Sequence, residues 1–85
     1  MEDKPNKRIL KSFPFHGEKC WFVSTIERTY DLASGTTRGL ETLVWEYDWD
    51  LNERGAMIWQ GGGLEDHFEV VKSIINTGKI PEKDE

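Results

Sequence analysis

The chain has 85 residues, sixteen Asp and Glu against eleven Lys and Arg, a net charge of −5 and one cysteine. That length supports one domain burying roughly 60–65% of its unfolded surface, so the core is thin, and four Trp, four Phe and two Tyr must carry much of it. Cys20 has no partner for an internal disulfide, no apolar run approaches the roughly 20 residues of a membrane span, and the N-terminus is charged rather than signal-like. These features lead to the expectation of a soluble, cytoplasmic protein with no membrane association.

The charge is uneven. Residues 1–11 carry a net +2, residues 12–40 balance, residues 41–70 hold eight acids and one arginine, and residues 71–85 balance again. Phosphate neutralisation supplies most non-specific nucleic-acid affinity, and an acidic middle opposes it. Direct nucleic-acid binding is therefore not expected. A protein partner with a basic surface fits better, as does a surface that imitates nucleic acid.

In chain order, residues 1–7 are polar and contain Pro5, which reads as a frayed arm. "RILKSFPF" (8–15) reads as a short edge strand, where Pro14 is tolerated, and "HGEK" (16–19) as a turn on Gly17. "CWFVSTIERTYDL" (20–32) is rich in β-branched and aromatic residues and reads as a strand. "ASGTTRG" (33–39) reads as a loop. In "LETLVWEYDWDL" (40–51), Leu43, Trp45, Tyr47, Trp49 and Leu51 alternate with Val44, Glu46, Asp48 and Asp50, which predicts a strand with one apolar and one acidic face. "NERG" (52–55) then turns the chain into a short antiparallel strand, "AMIWQ" (56–60).

After three glycines, Leu64, Phe68, Val71 and Ile75 recur at helical spacing, with Val70 and Ile74 widening the stripe. Glu65 and Asp66 suit the first turn, while Gly78 and Pro81 suit the stop. The expected architecture is α+β: a three- to four-stranded antiparallel meander with one C-terminal amphipathic helix packed on it. Residues 8–80 form the domain, and 81–85 a solvated tail. The helix would cover the sheet face bearing Leu43, Trp45 and Tyr47, or its opposite. The face left bare would be an interface, so a homodimer is expected.

Glycines that open a helix often hold phosphate. Here, however, Leu64, Glu65 and Asp66 stand where a P-loop needs lysine and Ser/Thr, so "GGG" reads as a turn onto the helix. His16, Glu18, Cys20 and His67 supply too few N and S ligands for zinc, so no metal or other cofactor is expected. Cys20 beside Trp21 and Phe22 reads as core rather than nucleophile. Glu46, Asp48 and Asp50 share a strand face at steps of about 7 Å. With Trp45, Trp49 and Trp59 on the same hairpin, they form the candidate partner-binding surface; the alternatives are a solvated face and buried tryptophans.

"VSTI" (23–26), "LETLVW" (40–45), and His67 with Val71 on the helix resemble small hypothetical proteins common in bacteriophage and bacterial genomes. Those proteins read as a V-S-T strand, an E-T-M-V-F strand and a helix with G-H-x-x-x-V. Asp66 stands where they have the glycine, and "GGGLED" replaces their acidic helix lead-in. The resemblance implies a phage-type accessory protein, of an inhibitory or anti-defence kind and acting in the host cytoplasm; it carries over no catalytic residue. It draws attention to Ser24, Thr25, Glu41, Thr42 and His67, either as a polar network fixing strand register or as a small-ligand site. Two functions follow as expectations. One is a non-catalytic interaction protein using the acidic-aromatic hairpin. The other is a small-molecule or nucleotide-binding protein with its site near His67 and Glu41. No nucleophile–base pair points to an enzyme.

Overall fold

The structure is a computed structural model in which residues 7–81 are described. One antiparallel sheet carries strands β1 (Lys7–Ser12), β2 (Phe15–His16), β3 (Lys19–Leu32), β4 (Gly35–Asp48) and β5 (Glu53–Gly61), followed by helix α1 (Gly63–Thr77). The sheet order is β1-β3-β4-β5, with β2 pairing the start of β3. β1 and β2 are thus one edge interrupted at Phe13 and Pro14. The α+β class and the antiparallel meander hold, with five strand segments rather than three to four. Lys7 already pairs with Glu27, so the strand begins inside the expected arm. The rest of that arm (1–6) and the end of the tail (82–85) lie outside the described residues.

The largest departure is at 33–39. Instead of a seven-residue loop, only Ala33 and Ser34 separate β3 from β4, and Gly35 takes a φ of 132° as β4 begins. The ladder runs on outward, with one threonine in each pair: Thr29 opposes Arg38, Tyr30 opposes Thr37 and Asp31 opposes Thr36. Fourteen residues at about 3.3 Å each make an arm of roughly 46 Å, which matches the 47 Å long axis of the molecule. At the other hairpin, β4 stops at Asp48, so the turn is residues 49–52 rather than 52–55. Asp48 Oδ1 accepts the Leu51 N–H there at 3.0 Å, and Asn52 takes a φ of 57°.

Alternation along β3 and β4 makes the two sheet faces different. Trp21, Val23 and Thr25 oppose Glu46, Val44 and Thr42 on one face; Cys20, Phe22, Ser24 and Ile26 oppose Tyr47, Trp45, Leu43 and Glu41 on the other. The helix covers the first face. The β-branched Val23, Thr25, Thr42 and Val44 lie on that face, and the core is Trp21, Val23, Val44, Val70 and Ile74, with Trp59, Val71 and Ile80 against it. Each fully buried Val or Ile contributes roughly 1.5–3 kcal/mol. The buried helix stripe is His67, Val70 and Ile74, whereas Phe68 and Ile75, expected inside, are 60% and 54% exposed. The stripe is rotated because a histidine, not an apolar residue, occupies its centre.

The glycines act by space and by hydrogen bonding. A Cβ on Gly61 would lie 2.3 Å from the Trp59 ring, and Gly63 has a φ of 75°. The Gly62 N–H, just before the helix, donates to Asp66 Oδ2 at 2.7 Å, so a carboxylate of the first turn reaches back to the residue that precedes α1. At the far end, Gly78 adopts a left-handed cap with its N–H on the Ile74 carbonyl, and His16 Nδ1 donates to the Ile75 carbonyl at 3.2 Å.

Gly61→Ala is expected to cost about 2 kcal/mol, lowering Tm by roughly 8–16 °C, because the Trp59 ring must move. Gly62→Ala, where the backbone is extended and the nearest atom is the Leu40 carbonyl oxygen at 3.8 Å, is expected to change stability by less than about 0.5 kcal/mol. Thermal denaturation followed by circular dichroism checks both.

Candidate functional site

Two of the sequence-derived groupings come together only in part. Thr25, Thr42 and His67 meet under the helix. Thr25 Oγ1 lies 2.6 Å from Thr42 Oγ1 and 2.9 Å from His67 Nδ1, while Thr42 donates to the Gly63 carbonyl at 2.7 Å. His67 Nε2 is 2.8 Å from Ser12 Oγ, a residue that sequence reasoning missed. The proton count has one solution for a neutral ring. Thr42 gives its hydrogen to Gly63, so Thr25 donates to Thr42 and accepts from Nδ1–H, which leaves Nε2 to accept from Ser12. All three core members are fully buried, and burial lowers the His67 pKa below its ordinary 6.5. The chain runs unbroken from β1 through α1, β3 and β4 to the helix start, which is the register-fixing arrangement.

Ser24 and Glu41 do not join it. They sit on the opposite face of the sheet, because adjacent residues of a strand point apart. Glu41 is ion-paired with Arg28 at 2.8 Å and accepts from the Gln60 amide, while Ser24 Oγ is buried without a partner. His67 and Glu41 therefore do not line a common pocket.

The hairpin residues also separate. Trp59 is on the helix side, half-buried, with its indole N–H on the Pro81 carbonyl at 3.1 Å. Trp45 lies on the other face, stacked on Phe22 with centroids 5.3 Å apart. Glu46, Asp48, Asp50 and Trp49 do come together, in a groove of about 770 Å³ between the β4–β5 turn and the β2–β3 turn. Five carboxylates line it (Glu18, Glu46, Asp48, Asp50 and Glu53) against two cations, Lys19 and Arg54. Trp49 is 58% exposed and Leu51 66% exposed at its rim. Phe15 and Phe13 meet Trp49 edge-on with centroids 5.3 Å and 6.2 Å away.

Cys20 lies beneath this groove. Burial pushes its thiol pKa up, and the S–H rests on the Trp21 carbonyl. His16 is occupied at the helix end. Among the described residues no three His, Cys, Asp or Glu side chains converge in a way that could hold a metal, and no helix is long and apolar enough to cross a membrane. No known family model matches the chain, and neither a curated protein nor a solved structure matches it.

The depressed His67 pKa makes stability pH-dependent with a definite sign. The unfolded chain binds a proton near pH 6.5 that the folded chain resists. The contribution is therefore complete above that pH and is lost as pH falls toward the folded value. Urea unfolding between pH 5 and 8 is expected to show this loss, and His67→Gln to flatten it. Thr25→Val leaves the Nδ1–H without an acceptor and is expected to cost about 2–3 kcal/mol.

Proposed function

We propose that the protein is a non-catalytic interaction module, of phage-accessory type, that grips a basic segment of a partner protein in the groove at its acidic-aromatic hairpin tip. One observation carries this reading: a widely exposed tryptophan, packed edge-on against neighbouring rings, lines a groove with five carboxylates and two cations. Lysine or arginine side chains suit both parts, since carboxylates pair with them and an indole face attracts them. Exposed Trp is also the residue type that most often dominates an interface energetically.

A homodimer belongs to the same reading. Among the described residues, the distal part of the β3–β4 arm lies beyond the first β1 pair at Glu27 and the last β5 pair at Thr42, with no strand paired to either edge there and Leu32 exposed. Bare edges of this kind pair readily with another chain. Light scattering coupled to size exclusion is expected to give twice the chain mass, and shortening the arm to give the monomer.

Titration calorimetry with arginine-rich peptides is expected to show binding that weakens steeply with salt. Neutralising Glu46, Asp50 and Glu53 to their amides, or Trp49→Ala, is expected to reduce affinity by about tenfold or more. Equal affinity in the neutralised variant, or salt-independent binding, would rule the groove out.

A further inference from the structure

The sheet face that the helix leaves open carries a second site of opposite charge. Arg8, Lys11 and Arg54 surround a cavity of about 300 Å³ whose other walls are Phe13, Phe22 and Tyr47. Among the described residues no carboxylate lines it. Among the described residues none of these three cations is ion-paired; the only ion pair is Arg28 with Glu41.

The cations arrive from opposite edges of the sheet, and each edge is bent to deliver them. β1 is bulged at Ile9: Arg8 opposes Ile26, Leu10 opposes Thr25 and Lys11 opposes Ser24. In a regular strand Arg8 and Lys11 would point to opposite faces; the bulge puts both on the aromatic face. β5 does the same. Met57 opposes Trp45 and Arg54 opposes Tyr47, so two β4 positions span three on β5, and Arg54 turns onto that face too. The Arg8 guanidinium then lies 5.5 Å from the Phe22 centroid, and that of Arg54 lies 5.9 Å from it and 4.7 Å from that of Trp45. Two independent irregularities that converge unpaired cations on one aromatic-walled void are the kind of feature bulges supply near binding sites.

We propose that this cavity binds a planar, phosphorylated small molecule of mononucleotide size. The two guanidiniums offer forked donors that match phosphate oxygens, with Lys11 adding a third charge. The Phe13 and Tyr47 rings, 5.0 Å apart and inclined at 66°, are half-buried and leave π surface for a ring to stack on. The volume is at the lower end for small-molecule pockets. A nucleic-acid strand is disfavoured because Tyr47 and Arg54 also line the acidic groove, whose five carboxylates would meet the continuing phosphates. The cavity shares Tyr47 and Arg54 with that groove but needs no partner bound in it.

The test is titration calorimetry on the full chain with four probes: the nucleoside 5′-monophosphates, the unphosphorylated nucleosides, inorganic phosphate and a single-stranded decanucleotide. Saturable binding of at least one monophosphate is expected, with its nucleoside and free phosphate each at least tenfold weaker. Arg8→Gln and Arg54→Gln should each weaken it at least tenfold, while neutralising Glu46 and Asp50 should not. Arg54→Lys keeps the charge but loses the fork and the stack, and should weaken binding at least threefold, which serves as the reading if Arg54→Gln does not fold. No saturable binding up to millimolar monophosphate, undiminished binding in the arginine variants, or decanucleotide binding more than tenfold tighter than the best monophosphate would each overturn the proposal.

Discussion

The fold turns on a buried imidazole. His67 is the one titratable side chain in the helix stripe that meets the sheet, and it lies where the apolar spacing alone would have placed a leucine or a phenylalanine. A neutral ring with one donor and one acceptor is satisfied on both sides, by Ser12 and Thr25, and Thr25 passes the chain on through Thr42 to the carbonyl of Gly63. Each bond contributes on the order of 1 kcal/mol net, but the cost of leaving any one unmade inside the core is larger. The chain thus selects one rotation of the helix and one register of three strands. A helix turned by one residue would bury Phe68 and strand the threonine hydroxyls.

Because the helix is seated on the β-branched face, the aromatic face is left to cover itself. Phe13 stacks on Phe22 with centroids 5.0 Å apart, Phe22 on Trp45, and the guanidiniums of Arg8 and Arg54 lie over Phe22 and Trp45, so Phe22 is only 5% exposed without any second layer. Guanidinium groups do this well, since their methylene stems are apolar and their planes lie on rings. The arrangement leaves two adjoining regions of the sheet chemically opposed. The turn end gathers carboxylates around an exposed indole, while the open face beside it gathers cations around aromatic rings. In a chain with a net charge of −5, such separation concentrates each sign where it can act on a ligand.

Much of this was legible beforehand. The alternation in 40–51 places Leu43, Trp45 and Tyr47 on one face, and the resemblance singles out Thr25, Thr42 and His67, which do meet under the helix. Gly78 and Pro81 ended the helix as their backbone preferences require. The 33–39 segment misled because threonines and glycines are ordinary in loops, and only cross-strand pairing reveals that they continue a ladder. The same resemblance groups Ser24 and Glu41 with Thr25 and Thr42, although strand geometry sends neighbours to opposite faces. Arg54 carried a signal, as the single base among eight acids in 41–70. Arg8 and Lys11 carried none, because their shared face depends on a bulge that regular alternation forbids.

By itself, then, the sequence determined the class of fold, the order of its elements and which residues alternate on each strand, since these follow from local periodicity and from the backbone limits of glycine and proline. The tertiary structure decided which face the helix covers, where the helix stripe is centred, and which charged side chains meet. Those outcomes depend on volumes, on closed hydrogen-bond chains and on bulges at the sheet edges, all of which are settled only when distant segments are packed together.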